Sequence, residues 1–130
     1  MKKITKTLIL MMLLLVFKLA ATDISDYRLS AEDFANLLSE DKEIILIDIR
    51  TPNEYNQGHI KNALLINYYD KNFITTLSEL DKEKHYLIYC RSGNRSRNAL
   101  QIMYEMGFNN FADLKGGIRA WIQANNKLEN

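Results

Sequence analysis

The chain of 130 residues contains a single cysteine, Cys90, in a setting suited to thiol chemistry. The apolar run YLIY at residues 86–89 leads directly into Cys90, and the polar segment RSGNRS at residues 91–96 follows it. Within this segment, Arg91 and Arg95 bring two permanent cations close to the sulfur. The thiolate is the nucleophilic form of cysteine, and neighbouring arginines and helix N-termini favour it over the thiol. We therefore predict that Cys90 is a thiolate nucleophile in a loop that attracts anions.

A strand and a helix are predicted on the two sides of this loop. Residues 86–89 indicate a buried strand, and the apolar spacing of residues 96–106 indicates an amphipathic helix. Ligands of open α/β sheets lie at the carboxyl ends of strands, and a helix N-terminus carries roughly half a positive charge. Gly93 can supply the backbone angle that a tight anion-binding turn requires. The alternative is a buried structural cysteine, but six residues without a large hydrophobic side chain follow Cys90.

Strands and helices alternate along the rest of the chain. Residues 44–48 (IILID) form a continuous apolar run, typical of a strand buried on both faces of a parallel sheet. Thr51, Pro52 and Glu54 form the capping box of a short helix that ends at Gly58. Further strands are predicted at residues 63–67 and 111–114, and further helices after Ser30, at residues 73–80 and after the turn at Gly116 and Gly117. This alternation predicts one α/β domain with a parallel sheet and helices on both faces.

The first 21 residues have the pattern of a secretory signal peptide. Three lysines precede an unbroken apolar run at residues 8–17, which Lys18 ends and the small residues Ala20 and Ala21 follow. An uncleaved membrane anchor and a buried core helix are the alternatives. Ten helical residues reach roughly 15 Å, about half of a bilayer core of roughly 30 Å. We therefore expect cleavage, after Ala21.

Removal of residues 1–21 would leave an exported domain of residues 22–130, and we expect it in the periplasm. The 17 basic residues of the whole chain would fall to 13, against 16 acidic residues. A mildly acidic domain without runs of like charge argues against nucleic acid as a partner. Contact with a membrane is expected only if the N-terminal segment is retained. Cysteines of exported proteins usually pair, so the lone Cys90 is inert, paired with another molecule, or a working thiol.

Few other residues have the types and spacing for chemistry. One cysteine and two histidines, His59 and His85, lack the spacing of a zinc site, and we expect no metal. His59 could form a Cys–His dyad, although we favour a structural role, and His85 is expected to be solvated. Asp48 and Arg50 flank the end of a predicted strand, where we expect a structural ion pair with Glu54 as a candidate third member.

Four segments together resemble the rhodanese (sulfurtransferase) family in its short single-domain form. They are DIR at residues 48–50, EYNQGHI at 54–60, CRSGNRS at 90–96 and GGIRAW at 116–121, in the order of the family. They cover roughly residues 29–125, nearly the whole predicted domain. The resemblance implies the rhodanese-like fold, a parallel sheet of about five strands with helices on both faces.

The same fold resembles a phosphatase branch that is set apart by its loop length. In that branch the loop is Cys-x5-Arg and encloses a tetrahedral phosphate. Cys90 and Arg95 are spaced Cys-x4-Arg, one residue shorter. Because the smaller loop fits a persulfide sulfur better, the spacing argues against a phosphatase or an arsenate reductase.

The resemblance to rhodaneses implies covalent catalysis without a metal or an organic cofactor. Cys90 would attack the outer sulfur of an anionic donor such as thiosulfate or a persulfide, carry the sulfur as a persulfide, and pass it to a thiol or cyanide acceptor. Backbone N–H groups of the loop would stabilise the anionic sulfur, and the arginines would orient the donor. The predicted substrate-binding residues are Arg91, Ser92, Gly93, Asn94, Arg95 and Ser96, and the predicted structural supports are Asp48, Arg50 and Glu54.

Two other functions are compatible with the same residues. Cys90 could accept sulfane sulfur, or form a mixed disulfide with a partner, as a sulfur carrier or redox-responsive module without useful turnover. The domain could also be a scaffold that acts only through its surface.

Overall fold

The computed structural model describes residues 23–130, so the predicted signal peptide at residues 1–21 lies outside the described residues. Five parallel strands form one sheet in the order β1–β5–β4–β2–β3. The strands are β1 (Arg28–Leu29), β2 (Ile45–Asp48), β3 (Leu64–Leu65), β4 (His85–Tyr89) and β5 (Asn110–Leu114). Because β4 lies at the centre of the sheet, the residue that follows it is placed in the middle of the carboxyl edge.

Helices cover both faces of the sheet, as predicted. They are α1 (Ala31–Glu40), α2 (Pro52–Asn56), α3 (Phe73–Ser78), α4 (Asn94–Glu105) and α5 (Gly117–Gln123). One apolar cluster joins α3 and α4 to the sheet, and a second joins α1 and α5 to the opposite face. Consecutive strand residues alternate between the clusters, with Leu87 on the α1 side and Ile88 on the α3 side. The continuous apolar runs of β2 and β4 thus reflect burial on both faces.

Local capping signals place two of the helices where the sequence predicts them. The Ser30 hydroxyl accepts a hydrogen bond from the Asp33 N–H at the start of α1. Thr51 and Glu54 form the reciprocal capping box of α2, with Pro52 at its first position. Such caps satisfy N–H groups that have no partner within the helix.

The structure differs most from the sequence-based prediction at two places. The helix after the cysteine begins at Asn94 rather than at Ser96, because Gly93 adopts a left-handed conformation and ends the loop early. The N-terminal segment adds a 3₁₀ turn at Ile24–Tyr27 and the short strand Arg28–Leu29, neither of which was predicted. Among residues 23–130, no helix combines the length and apolar character needed to cross a bilayer.

Candidate active site

Cys90 lies directly after β4, at the middle of the carboxyl edge of the sheet. Its residue surface is 1% exposed, and part of its side chain packs in the apolar cluster beneath α4. The residues that follow, Arg91 and Ser92, are exposed. The sulfur therefore lies at the floor of a loop whose rim faces solvent.

Two backbone N–H groups are directed at the sulfur. The Gly93 N–H donates to Cys90 Sγ at 3.1 Å, and the Ser96 N–H donates at 3.4 Å. Ser96 belongs to the first turn of the twelve-residue helix α4, whose N-terminus faces the loop. Unpaired N–H groups and the helix dipole both favour negative charge at this position. The arrangement suits an anionic sulfur, although only two of the six predicted N–H donors are bonded to it.

Gly93 makes this short loop possible. Its φ angle is +95°, and a Cβ atom there would lie 2.8 Å from Arg28 Nη2 and 3.0 Å from the Gly116 nitrogen. Arg28 Nη2 donates to the Gly93 carbonyl at 2.8 Å. A side chain at position 93 would therefore collide with the groups that hold the turn, which explains the glycine in the motif.

The segment after β5, at the start of α5, is hydrogen-bonded to the backbone of the cysteine loop. The Ile118 N–H donates to the Cys90 carbonyl at 2.9 Å, and the Arg119 N–H donates to the Arg91 carbonyl at 3.3 Å. Gly117, with a φ angle of +63°, lets these backbones approach each other. The GGIRAW segment thus fixes the cysteine backbone through the N-terminus of α5.

The two predicted donor-orienting arginines lie in different environments. Arg91 is exposed and extends from the loop. Arg95 makes two hydrogen bonds to the Glu54 carboxylate, each 2.9 Å long, and its guanidinium lies 5.4 Å from the ring centroid of Tyr69. These hydrogen bonds to Glu54 raise the pKa of Arg95. Arg91 is therefore the loop arginine that is free to meet an incoming anion, whereas Arg95 is held at the rim.

Asp48 and Arg50 form a buried ion pair on the neighbouring strand. Arg50 Nη2 lies 2.7 Å from Asp48 Oδ2 and also donates to the Gly58 carbonyl. The Tyr89 hydroxyl donates to the same carboxylate oxygen at 2.7 Å, and burial raises the pKa of Tyr89. Glu54 is not part of this network, since it pairs with Arg95 across 41 residues of sequence. The network joins β2 to β4 immediately before Cys90.

Sequence reasoning missed Asp113 and Arg28, which contact the loop. Asp113 is fully buried near the end of β5 and accepts a hydrogen bond from the Ser96 hydroxyl at 2.5 Å. Arg28 binds the same carboxylate with two hydrogen bonds of 3.0 Å each. Ser96 itself is completely buried, so its side chain faces the protein rather than the rim. The sequence gives one sign of this contact: Asp113 is a charged residue within the predicted strand at residues 111–114.

Comparison with known proteins supports the resemblance that the motifs suggest. The family model described as the rhodanese-like domain matches residues 30–124. The chain belongs to the rhodanese family.

Two of the similar proteins are named as sulfurtransferases, and the match covers most of their length. A sulfurtransferase from Allochromatium vinosum is 36% identical over 93 residues, which cover 72% of this chain and 85% of the relative. The thiosulfate sulfurtransferase GlpE of Shewanella oneidensis is 34% identical over 88 residues, covering 68% and 85%. A rhodanese-related protein from Thermoplasma volcanium superposes with a TM-score of 0.69 at 27% identity, covering 78% of this chain and 96% of that one. These relatives support rhodanese-type sulfur transfer in general.

The histidines of this rhodanese contact residues away from the cysteine loop. His59 stacks on the Tyr55 ring with a centroid distance of 3.7 Å, and its backbone pairs with Glu129. His85 Nδ1 lies 3.9 Å from an Asp41 carboxylate oxygen at the opposite end of β4 from Cys90. These contacts agree with structural or surface roles. In residues 23–130, no group of three or more histidine, cysteine, aspartate or glutamate side chains is arranged to hold a metal ion.

The Glu54–Arg95 pair of the rhodanese is expected to make stability depend on pH. Hydrogen bonds from Arg95 lower the pKa of Glu54 from 4.5 to about 2. A carboxylate with a lowered pKa in the folded state stabilises the fold above about pH 4.5, and this contribution is lost as the pH falls toward 2. Because both side chains are partly exposed, Glu54→Gln should cost about 1 kcal/mol of unfolding free energy at pH 7.

Urea denaturation at pH 7 and at pH 3 measures this contribution. The deficit of Glu54→Gln relative to the wild type should shrink at pH 3, because the carboxylate is then protonated in the unfolded wild type and must release its proton on folding. Glutamine retains the oxygen that caps α2, so the variant keeps the cap and loses the charge together with one acceptor of Arg95. Glu32→Gln, an exposed replacement in the first turn of α1, is the control. An unchanged deficit at both pH values would contradict the prediction.

Proposed function

We propose that this rhodanese is a sulfurtransferase that moves sulfane sulfur through a persulfide on Cys90. The observation that carries the proposal is the position of Cys90 Sγ, which receives the N–H groups of Gly93 and Ser96 at the N-terminus of α4. The relatives named sulfurtransferase and thiosulfate sulfurtransferase support the reaction class. Thiosulfate, or a persulfide of similar charge, is the proposed donor.

The proposed reaction has two displacement steps at sulfur. In the first, the Cys90 thiolate forms a bond to the outer sulfur of thiosulfate while the S–S bond breaks, and sulfite leaves with the electron pair. In the second, an acceptor thiolate or cyanide attacks the outer sulfur of the persulfide, and the Cys90 thiolate leaves. The Cys90 thiolate is the nucleophile of the first step and the leaving group of the second, so the two N–H groups stabilise the same sulfur in both roles.

Charge at the rim supports an anionic donor. Arg91 is exposed beside Cys90, and its guanidinium can form charge-assisted hydrogen bonds to a sulfonate group. Arg95 adds a second positive group, partly neutralised by Glu54.

The test is thiocyanate formation from thiosulfate and cyanide by the purified, reduced protein. Activity above that of a Cys90→Ser control is expected, with ping-pong kinetics. Mass spectrometry after thiosulfate treatment alone should show one added sulfur atom on Cys90. A persulfide that forms without turnover to thiocyanate would favour the carrier function, and the absence of both would contradict the proposal.

Export to the periplasm is a separate proposal, supported by the lysines and the apolar run at residues 1–21. N-terminal sequencing of the protein recovered from the soluble periplasmic and membrane fractions tests it. A new N-terminus at Thr22 in the soluble fraction is expected. An intact N-terminus in the membrane fraction would indicate an anchor that keeps the domain at the membrane.

A further inference from the structure

A chain of polar groups leads from Cys90 into the sheet. Cys90 Sγ lies 3.6 Å from Ser96 Oγ, which donates to Asp113 Oδ2 at 2.5 Å. Arg28 holds the Asp113 carboxylate through Nε and Nη2. Asp113 and Ser96 are both fully buried, so solvent does not compete for these bonds. A buried carboxylate thus lies one hydroxyl group away from the sulfur.

The direction of the single hydroxyl proton of Ser96 decides whether this hydroxyl donates a hydrogen bond to the sulfur. A serine hydroxyl has one proton to donate, whereas a carboxylate bound by arginine only accepts. The shortest bond of the Ser96 hydroxyl is the one to Asp113, and its contact with the Gly93 carbonyl is longer, at 3.4 Å. The hydroxyl proton is therefore directed at Asp113, and a lone pair of Oγ faces Cys90. The sulfur receives its donors from the backbone, not from this hydroxyl.

We propose that Asp113, fixed by Arg28, is a positioning residue that withholds the Ser96 hydroxyl from Cys90. Without this acceptor, the hydroxyl is free to rotate and donate to the sulfur. An added hydrogen bond would increase the thiolate fraction at a given pH and lower the intrinsic nucleophilicity of that thiolate. Asp113 therefore keeps the sulfur less stabilised and more reactive. The proposal rests on the proposed role of Cys90 as a nucleophile, but not on any particular sulfur donor.

Other charged groups near the sulfur also affect the equilibrium between the thiol and the thiolate of Cys90. They are Arg91 in the loop and three ion pairs, Arg95 with Glu54, Arg28 with Asp113, and Arg50 with Asp48. Replacing Asp113 by alanine removes the acceptor and also leaves Arg28 without its carboxylate, and this change of charge alone favours the thiolate. An experiment must therefore separate the effect of charge from the effect of the hydroxyl.

The experiment measures the rate of Cys90 alkylation by iodoacetamide from pH 5 to pH 10, using the full chain. In Asp113→Ala, which removes the acceptor altogether, the midpoint of the rate profile should fall by about one pH unit and the plateau rate at high pH should also fall. A loosened loop would instead leave the plateau rate undiminished, because an exposed cysteine reacts freely. Asp33→Ala, an exposed replacement on α1, is the matched control and should leave the profile unchanged.

Ser96→Ala provides the decisive comparison. Alone, it should not raise the midpoint, because the hydroxyl does not donate to the sulfur in the wild type but lies where it accepts from the thiol. Combined with Asp113→Ala, it should remove most of the midpoint shift that Asp113→Ala causes on its own. A large upward shift in Ser96→Ala would overturn the proposal, even if Asp113→Ala did not fold.

Two further outcomes would also overturn it: equal shifts from Asp113→Ala in both backgrounds, which would indicate charge alone, and an unchanged midpoint in that variant. Alkylation requires no sulfur donor. Loss of the predicted shifts with thiocyanate formation intact would reject only the role of Asp113. The predicted shifts without persulfide or thiocyanate formation would reject only the proposed function.

Discussion

Replacing Cys90 by serine is expected to lower kcat/KM for thiocyanate formation by more than about 1,000-fold, equivalent to about 4 kcal/mol of transition-state stabilisation. A serine hydroxyl is neither ionised near neutral pH nor able to carry a persulfide. Its oxygen can still accept the N–H groups of Gly93 and Ser96, so the fold should be retained. Initial rates of thiocyanate formation measure the effect, and urea denaturation checks the fold.

A second variant tests whether thiocyanate formation depends on the position of the cysteine in the loop as well as on the presence of a thiol. Cys90→Ser combined with Ser92→Cys restores a cysteine two residues further along the same loop, at an exposed position. It lies outside the pair of N–H donors, so we expect it to be alkylated readily but to leave thiocyanate formation at the level of Cys90→Ser. Recovery of sulfur transfer in this double variant would contradict the role assigned to the backbone donors.

The elements around the site could be predicted because their signals are local. The apolar runs of β2 and β4 and the capping box of α2 lie within a few residues of sequence. The position of Cys90 at the end of a buried strand was predicted correctly for the same reason. The start of α4 was predicted two residues late, because Asn94 and Arg95 resemble loop residues when the left-handed turn at Gly93 is not known.

The contacts that tune the site could not be predicted, because they are distant in sequence. Arg95, which the sequence predicts to orient the donor, also binds Glu54 across 41 residues of sequence. Arg28 reaches Asp113 across 85 residues, from a two-residue strand that has no periodicity of its own. Such pairs depend on the strand order of the sheet, in which β1 lies beside β5.

Gly117→Ala is expected to reduce kcat/KM for sulfur transfer by about 100-fold, because displacements of about 1 Å at a reacting group can have effects of that size. A Cβ atom at this position would lie 2.4 Å from the Arg91 carbonyl oxygen and 2.6 Å from the Cys90 carbonyl oxygen. These are the carbonyls that the N–H groups of α5 bind. The added methyl group must therefore separate α5 from the loop and move the cysteine backbone.

Gly107→Ala is the matched control for this displacement. Gly107 also has a left-handed backbone, with a φ angle of +86°, but a Cβ atom there would meet no atom within 4 Å. Both alanines pay about 1–2 kcal/mol for the left-handed conformation, and only Gly117→Ala adds the collision with the loop. Gly107→Ala should therefore lose some stability in urea denaturation while its kcat/KM stays within about twofold of the wild type. Equal activities of the two folded variants would show that α5 does not hold Cys90 in its reactive position.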